Sequence, residues 1–389
     1  MSVNDVTISK NIELSDILKQ YWPRFMENHK ITFYHFRVIN AIMNCRTKAL
    51  GGHIEKCSNH NCDYEINAYN SCRNRHCPKC MHSKRIKWVF DRMKELLPIP
   101  YYHFTCTMPP MLHRLCLFNQ ALIYDIFFKS TSYALNAFSK DKKFLGAQLG
   151  FIGILHTWGK SLAYHPHLHY IVTGGGLSRD RMKWIRLPYQ KKFLFPVKAV
   201  SKTIRGKFVK LLYNAYKNEK LVFPGKLSEI STPTSFYAFC GRLGNESWYC
   251  HSKRPFSGPE KVLEYIGRYT HRVAISNSRL VGIRDNKVIF TVKDYKDYGR
   301  TKVTSLPVQT FIRRFTWHIL PKRFRKIRHF GFLNAGFRKA KIQKIRGLLE
   351  EIAGRVEDKI KNWYDRMEPY LFPKCPRCHT GTLKYINTS

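Results

Sequence analysis

Three histidines stand at alternate positions in Ala163-Tyr164-His165-Pro166-His167-Leu168-His169-Tyr170-Ile171-Val172-Thr173. In a β-strand alternate side chains share a face, so His165, His167, His169 and Ile171 point one way and Leu168, Tyr170 and Val172 the other. One face can pack on a core while the other presents imidazoles, and neighbouring neutral imidazoles form a metal chelate. A lone His-x-His is more often a plain polar strand face than a metal site. A fourth histidine changes the balance. His156 ends the apolar run Leu149-Gly150-Phe151-Ile152-Gly153-Ile154-Leu155. A loop through Gly159 lets the two runs pair as antiparallel neighbours, with His156 beside His167 and His169. Three ligands and an open position suit a catalytic divalent ion.

Two phenols form a second group. Ser257-Gly258-Pro259-Glu260 has the Ser-x-x-Glu form of a capping box, and behind it Val262, Tyr265, Ile266 and Tyr269 fall at i, i+3, i+4 and i+7. Periodicity alone makes Tyr265 and Tyr269 core residues of an amphipathic helix. The same spacing sets two hydroxyls one turn apart on one face, where a nearby metal would make them two nucleophiles.

Cysteines form the third group. Of the twelve, six lie between Cys45 and Cys80 and two more are Cys375 and Cys378. Cys77-Pro78-Lys79-Cys80 is a knuckle, and Cys57 with Cys62 can supply the other half of a tetrahedral Zn²⁺ site. Cys45, His53, Cys72 and His76 would make a second set of four, and the spacing allows one zinc or two. Cys375-Pro376-Arg377-Cys378 is half a site, to be completed from elsewhere or left without metal.

The elements that must position these groups follow from periodicity. Ile12, Leu14, Ile17, Leu18, Tyr21 and Trp22 lie on a helical stripe starting near Ser15-Asp16. Ile86, Val89, Phe90, Met93 and Leu97 mark another helix, ended by Pro98 and Pro100. Tyr101 to Thr107 reads as a strand, about Leu115 to Phe138 as a long helical stretch, and Gly174 to Gly176 as a turn. Residues from about 180 to 256 are basic and irregular, either an insertion that contacts DNA or a solvated helical layer. A final helix is expected from about Lys339 to Met367. The fold class is therefore α+β: an antiparallel sheet flanked by helices, an N-terminal helical and zinc-binding module over 1–95, a main domain over 96–335, and a C-terminal helix with a zinc knuckle over 336–389.

The 389 residues carry 68 Lys plus Arg against 26 Asp plus Glu, a formal charge of +42. A compact chain so charged repels itself and calls for a polyanion, which points to nucleic acid. No run of eighteen apolar residues and no leader pattern occurs, so no membrane role and a cytoplasmic location are expected. Reduced thiols in that compartment favour zinc over disulfides. Arg73, Arg75 and Lys79 surround the cysteine knuckle and are expected to contact phosphates.

The Pro-His-Leu-His strand, with His156 eleven positions before His167, resembles the metal site of the HUH endonucleases, which cut single-stranded DNA with a tyrosine. The phrase from His156-Thr157-Trp158-Gly159 to Gly174-Gly175-Gly176-Leu177-Ser178 resembles more narrowly the two-tyrosine rolling-circle transposases of bacterial insertion sequences. Asn70-Ser71-Cys72-Arg73-Asn74-Arg75-His76-Cys77-Pro78-Lys79-Cys80 is similar to the zinc-binding domain of that family. Tyr265-Ile266-Gly267-Arg268-Tyr269-Thr270-His271-Arg272 is similar to its paired-tyrosine motif. The resemblance extends through Lys293-Asp294-Tyr295 to Ile327-Arg328-His329-Phe330-Gly331 and is least evident between the metal strand and the tyrosine helix.

The resemblance implies an HUH-nuclease sheet, Tyr265 and Tyr269 as catalytic residues, and a 5′-phosphotyrosine intermediate in rolling-circle transposition. His156, His167 and His169 would hold Mg²⁺ or Mn²⁺, and Arg268 and Arg272 would join the DNA contacts. Partners would be single-stranded and transposon-end DNA. A replication initiator or relaxase shares this chemistry, whereas a zinc-dependent DNA-binding regulator would form no covalent adduct.

Overall fold

The computed structural model describes residues 12–81, 88, 91–92, 95–187, 194–253, 262, 273–294, 297–334, 336, 338–349 and 374–386. Tyr265, Tyr269, Arg268, Arg272, the capping box at Ser257 and most of the expected helices around Val89 and after Gly347 lie outside these residues.

Helix α1 (Leu14–Asn28) starts where the Glu13 amide donates to Asp16 Oδ2 at 2.9 Å, and α2 (Phe33–Met43) starts where Thr32 Oγ1 accepts from the His35 amide. Each cap satisfies an amide that has no partner within its helix. Strands β1 (Gly52–Cys57) and β2 (Glu65–Tyr69) form a hairpin, and β3 (Tyr101–Thr107) begins the main sheet. The long helical stretch divides at Asn119 into α3 (His113–Phe118) and α4 (Gln120–Lys140). Strands β4 (Gln148–Trp158), β5 (Tyr164–Leu177) and β6 (Trp184–Arg186) follow, then α5 (Val197–Lys217), α6 (Pro233–Asn245) and β7 (Cys250–Lys253). After them come β8 (Leu280–Arg284), β9 (Lys287–Asp294), β10 (Arg300–Pro307), α7 (Val308–Trp317), β11 (Ile327–Gly331), α8 (Arg338–Gly347) and β12 (Leu383–Ile386).

The main sheet is antiparallel in the order β11-β4-β5-β3-β7, with β6 also on β5. One face carries Phe104, Phe151, Leu155, Leu168, Tyr170 and Val172, which pack with Ile123, Phe127 and Phe128 of α4. Ile204, Phe208 and Leu212 of α5 and Phe236 and Leu243 of α6 extend the same core. The basic stretch from 180 to 256 is thus largely a helical layer with a buried apolar face. The other face is apolar at one end, where Ile152, Ile154, Ile171 and Tyr101 meet Phe332, Leu333 and Ile345. Toward the opposite end it becomes histidine.

Gly174 to Gly176 do not turn the chain; they continue β5. The Gly174 amide donates to Pro100 O at 2.7 Å, and a Cβ on Gly176 would stand 2.5 Å from Gln148 O. Glycine is required there by close backbone approach, which strand neighbours impose and local spacing does not reveal.

A second core joins α1 and α2 (Leu14, Leu18, Trp22, Ile39) to Val288 and Phe290 of β9 and Phe311 and Phe315 of α7. The three-stranded sheet β10-β9-β8 therefore sits against the N-terminal helices. Strand β12 pairs with β1, Ile54 opposite Ile386 and Cys57 opposite Leu383. Cores and strand pairs thus cross the sequence divisions at 95 and 335.

Candidate functional site

His156 and His167 are direct cross-strand partners on β4 and β5, and His169 follows two positions along. Ring centroids are 4.8 Å apart for His156 and His169, 4.8 Å for His167 and His169, and 5.4 Å for His156 and His167. One ligand nitrogen from each lies within 4.8 Å of the other two. His156 and His169 are buried and His167 half-buried, so an ion here would have protein on one side and an opening on the other. Three imidazoles are a donor set that fits a divalent transition ion.

The ring orientations have identifiable causes. His167 Nδ1 lies 2.7 Å from His165 O, so Nδ1 carries the proton and Nε2 keeps the lone pair. His169 Nδ1 lies 3.0 Å from Nε2 of His103 on β3. Burial, then the charges of Lys253, His251 and His167, lower the His103 imidazole to about 3, so it is neutral and can accept from His169. His156 stacks on Trp158 with centroids 4.6 Å apart. Sequence reasoning missed His103. Its strand was legible, but not that β3 would lie beside β5.

A cavity of about 400 Å³ opens over the triad, walled by Trp158, Lys160 and His165, by Thr291 and Lys293 of β9, and by Arg279 in the turn before β8. Arg279 Nε donates to Thr291 O at 2.8 Å and its Nη2 to Lys160 O at 2.9 Å, fixing a cation on the wall. Lys160 lies 3.7 Å from Asp294. A cleft lined by cations around clustered imidazoles suits a phosphodiester. Behind Trp158 a second cavity of about 230 Å³ is bordered by Arg75, His76, His318 and Lys326. Lys326 Nζ is 5.6 Å from the Trp158 ring centre, and burial with the Arg75 charge draws its ammonium down to about 7.

The cysteines group differently from the sequence expectation. Cys57 and Cys62 do not join Cys77 and Cys80; Cys45, Cys72, Cys77 and Cys80 form one set, and Cys57, Cys62, Cys375 and Cys378 the other. Strand β1 is the reason. It carries the chain from the Cys45 end to Cys57, about 17 Å at the rise of an extended strand. β2 then returns so that Tyr69 faces Gly52, delivering Cys72 to Cys45.

The expected set of Cys45, His53, Cys72 and His76 is likewise not assembled. His53 is held between Asn70 Oδ1 at 2.8 Å and Glu55 Oε1 at 3.2 Å, and His76 borders the second cavity. In the Cys45 set, contacts with Cys72 and Cys80 push the Cys77 thiol up, and contacts with Cys72 and Cys77 hold Cys80 low. Thiols so close cannot all ionise unless a cation joins them.

Two of the residues expected to contact phosphates have protein partners. The Arg75 guanidinium donates to the carbonyls of Leu320, Pro321 and Phe324, and Lys79 is ion-paired with Glu13. Both dock the knuckle onto its neighbours. Arg73 is exposed, with φ of 51°.

Residues 150–341 match a protein family described as "Putative transposase", and residues 17–108 one described as "Transposase zinc-binding domain". The chain is 39% identical over 377 residues to "Putative transposase y4qJ" of Sinorhizobium fredii (strain NBRC 101917 / NGR234), spanning 95% of this chain and 94% of that protein. It is 28% identical over 318 residues to "Transposase for insertion sequence element IS801" of Pseudomonas savastanoi pv. phaseolicola, spanning 81% and 74%. No solved structure matches.

Proposed function

The chain belongs to the two-tyrosine transposases of bacterial rolling-circle insertion sequences, and from that premise we propose that it cuts and rejoins single-stranded transposon-end DNA through a 5′-phosphotyrosine intermediate. The observation that carries this reading is the triad His156, His167 and His169 at the floor of a cleft walled by Lys160, Arg279 and Lys293. A divalent ion, Mg²⁺ or Mn²⁺, would polarise the scissile phosphate and help orient the bond. His156, His167 and His169 are the residues that would hold it, and imidazole donors suit Mn²⁺ better than Mg²⁺.

Lys160, Arg279 and Lys293 offset the charge of the incoming strand and of the transition state. Tyr265 or Tyr269 supplies the nucleophile. A phenol of pKa about 10 is mostly protonated at neutral pH and must lose its proton as its oxygen attacks phosphorus. The new P–O bond forms as the P–O3′ bond breaks, and the departing 3′ oxygen takes up a proton. Bond energy is kept for rejoining, and the second tyrosine permits a second cleavage while the first strand stays attached. Cys45, Cys72, Cys77 and Cys80 hold structural Zn²⁺, and Arg73, Arg268 and Arg272 contact DNA phosphates. The work is done on DNA in the bacterial cytoplasm.

The test is a labelled single strand from the element's ends, incubated with the protein and Mn²⁺ or Mg²⁺, then denatured. Protein-linked label is expected, lost in the double variant Tyr265→Phe, Tyr269→Phe while DNA binding persists. An adduct undiminished in that variant would remove both tyrosines from the mechanism.

A further inference from the structure

Strands β1, β2 and β12 form a small sheet with almost no apolar core among the described residues. Ile66, Tyr385 and Ile386 are exposed. What is buried beside it is Cys57, Cys62 and Cys375, with Tyr64, Cys378 and Leu383 partly covered. Three strands of four to six residues are marginal without a buried face, and among the described residues no such face offsets the cost of ordering the chain. Small modules of this kind are held by a metal or by disulfides.

The sulfur positions discriminate between the two. Cys57 Sγ lies 3.6 Å from Cys378 Sγ, and Cys62 Sγ lies 3.9 Å from Cys375 Sγ. A tetrahedron with Zn–S of about 2.3 Å has S···S edges of about 3.8 Å, whereas a disulfide needs about 2.05 Å. The Asn59 amide donates to Cys57 Sγ at 3.4 Å, the Gly381 amide to Cys378 Sγ at 3.3 Å, and the Thr380 hydroxyl to Cys378 Sγ at 3.3 Å. Such donors stabilise thiolate ligands from outside the coordination sphere. Gly381 also matters by what it lacks: a Cβ there would stand 2.4 Å from Cys57 Sγ.

We propose that Cys57, Cys62, Cys375 and Cys378 bind a second structural Zn²⁺, shared between the two ends of the chain. The zinc-binding family match ends at residue 108, so half of this ligand set lies far outside it. Four thiols give up their protons as the ion binds. The C-terminal segment is then a structural part of the N-terminal module. Around the metal, Arg377 pairs with Asp63, Asn59 Nδ2 donates to Thr380 Oγ1 at 3.1 Å, and the Thr382 amide donates to Ser58 Oγ at 2.9 Å.

The test uses the full-length protein purified with zinc and without added chelator. Elemental analysis is expected to find two zinc ions per chain, and the variant Cys375→Ser, Cys378→Ser to retain one. Because that variant can fail to fold, the wild type is also probed by thiol alkylation and amide exchange. Cys57, Cys62, Cys375 and Cys378 should resist alkylation together and become reactive together when zinc is stripped. Amides of residues 52–57 and 383–386 should lose protection in the same step. One zinc per chain with Cys375 and Cys378 freely alkylated, or an intact mass showing disulfides among the four, would overturn the assignment. Neither readout uses DNA cleavage, so this result stands or falls apart from the catalytic proposal.

Discussion

Replacing His103 by phenylalanine isolates a contact that supports the histidine triad without removing any of the three residues proposed to hold the ion. His103 and His169 are 3% and 8% exposed, and their nitrogens are 3.0 Å apart. The phenyl ring keeps the bulk in the sheet but cannot accept the His169 Nδ1 proton, which leaves a buried donor at a cost of about 1–3 kcal/mol. Part of that cost is present without metal and lowers the melting temperature. The rest appears in metal binding, because His169 loses the partner that fixes its tautomer and tilt. Supporting hydrogen bonds of this kind are worth about 10–100-fold in metal affinity, or about 1.4–2.7 kcal/mol. The assay is a Mn²⁺ titration read by the resonance of free Mn²⁺, with the Mn²⁺ dependence of adduct formation beside it. His103→Gln, whose amide oxygen can accept the same proton, should recover part of the loss. Equal Mn²⁺ half-saturation in wild type and His103→Phe, or a glutamine variant no better than phenylalanine, would refute the role given to His103.

Burial lowers His318 to about 4, while its ring is bonded to Thr157 Oγ1 and Leu162 O. The unfolded chain, with an ordinary histidine near 6.5, then binds more protons between those values, so stability is full above 6.5 and falls as pH drops toward 4. From pH 8 to pH 5 this amounts to about 2 kcal/mol, and urea titrations should show that much less pH dependence in His318→Gln. Arg75→Lys forfeits the carbonyl contacts and should lower stability by about 1.5–3 kcal/mol, while the salt dependence of DNA binding, read by fluorescence anisotropy, stays unchanged. Gly331 has φ of 63° and a Cβ there would stand 1.7 Å from Leu149 O, so Gly331→Ala should cost at least about 2 kcal/mol in thermal unfolding. Gly241→Ala, in α6 with open space around it, should instead stabilise by about 0.5 kcal/mol.

What was legible in the sequence was what depends on neighbours along the chain. Alternation within β5 announced the histidine face, and the short link through Gly159 announced its pairing with β4. Strand β3 was legible end to end from Tyr101 to Thr107. What was hidden depends on contacts that spacing does not encode. The partner of Cys57 was hidden because a hairpin can deliver a cysteine to either end of its neighbour, and because the other half of the set lies after residue 374. A helical layer over 180–256 was one of two readings; its buried face was hidden by lysines and arginines, which mask a stripe such as Val200, Ile204, Phe208 and Leu212 that is buried all the same.

Charge shows most sharply how composition and position differ. An excess of 42 positive charges predicts a polyanionic partner without saying which cations meet it. Around the cysteine knuckle the basic run looks uniform, yet Arg75 is spent on three carbonyls and Lys79 on Glu13, so two of its cations belong to the fold. The Arg75 contacts tie the knuckle to residues 320–324, just before Lys326, whose ammonium faces the Trp158 ring. Trp158 in turn stacks on His156. The cysteine set is therefore joined to the imidazole set through a short series of packed and hydrogen-bonded groups.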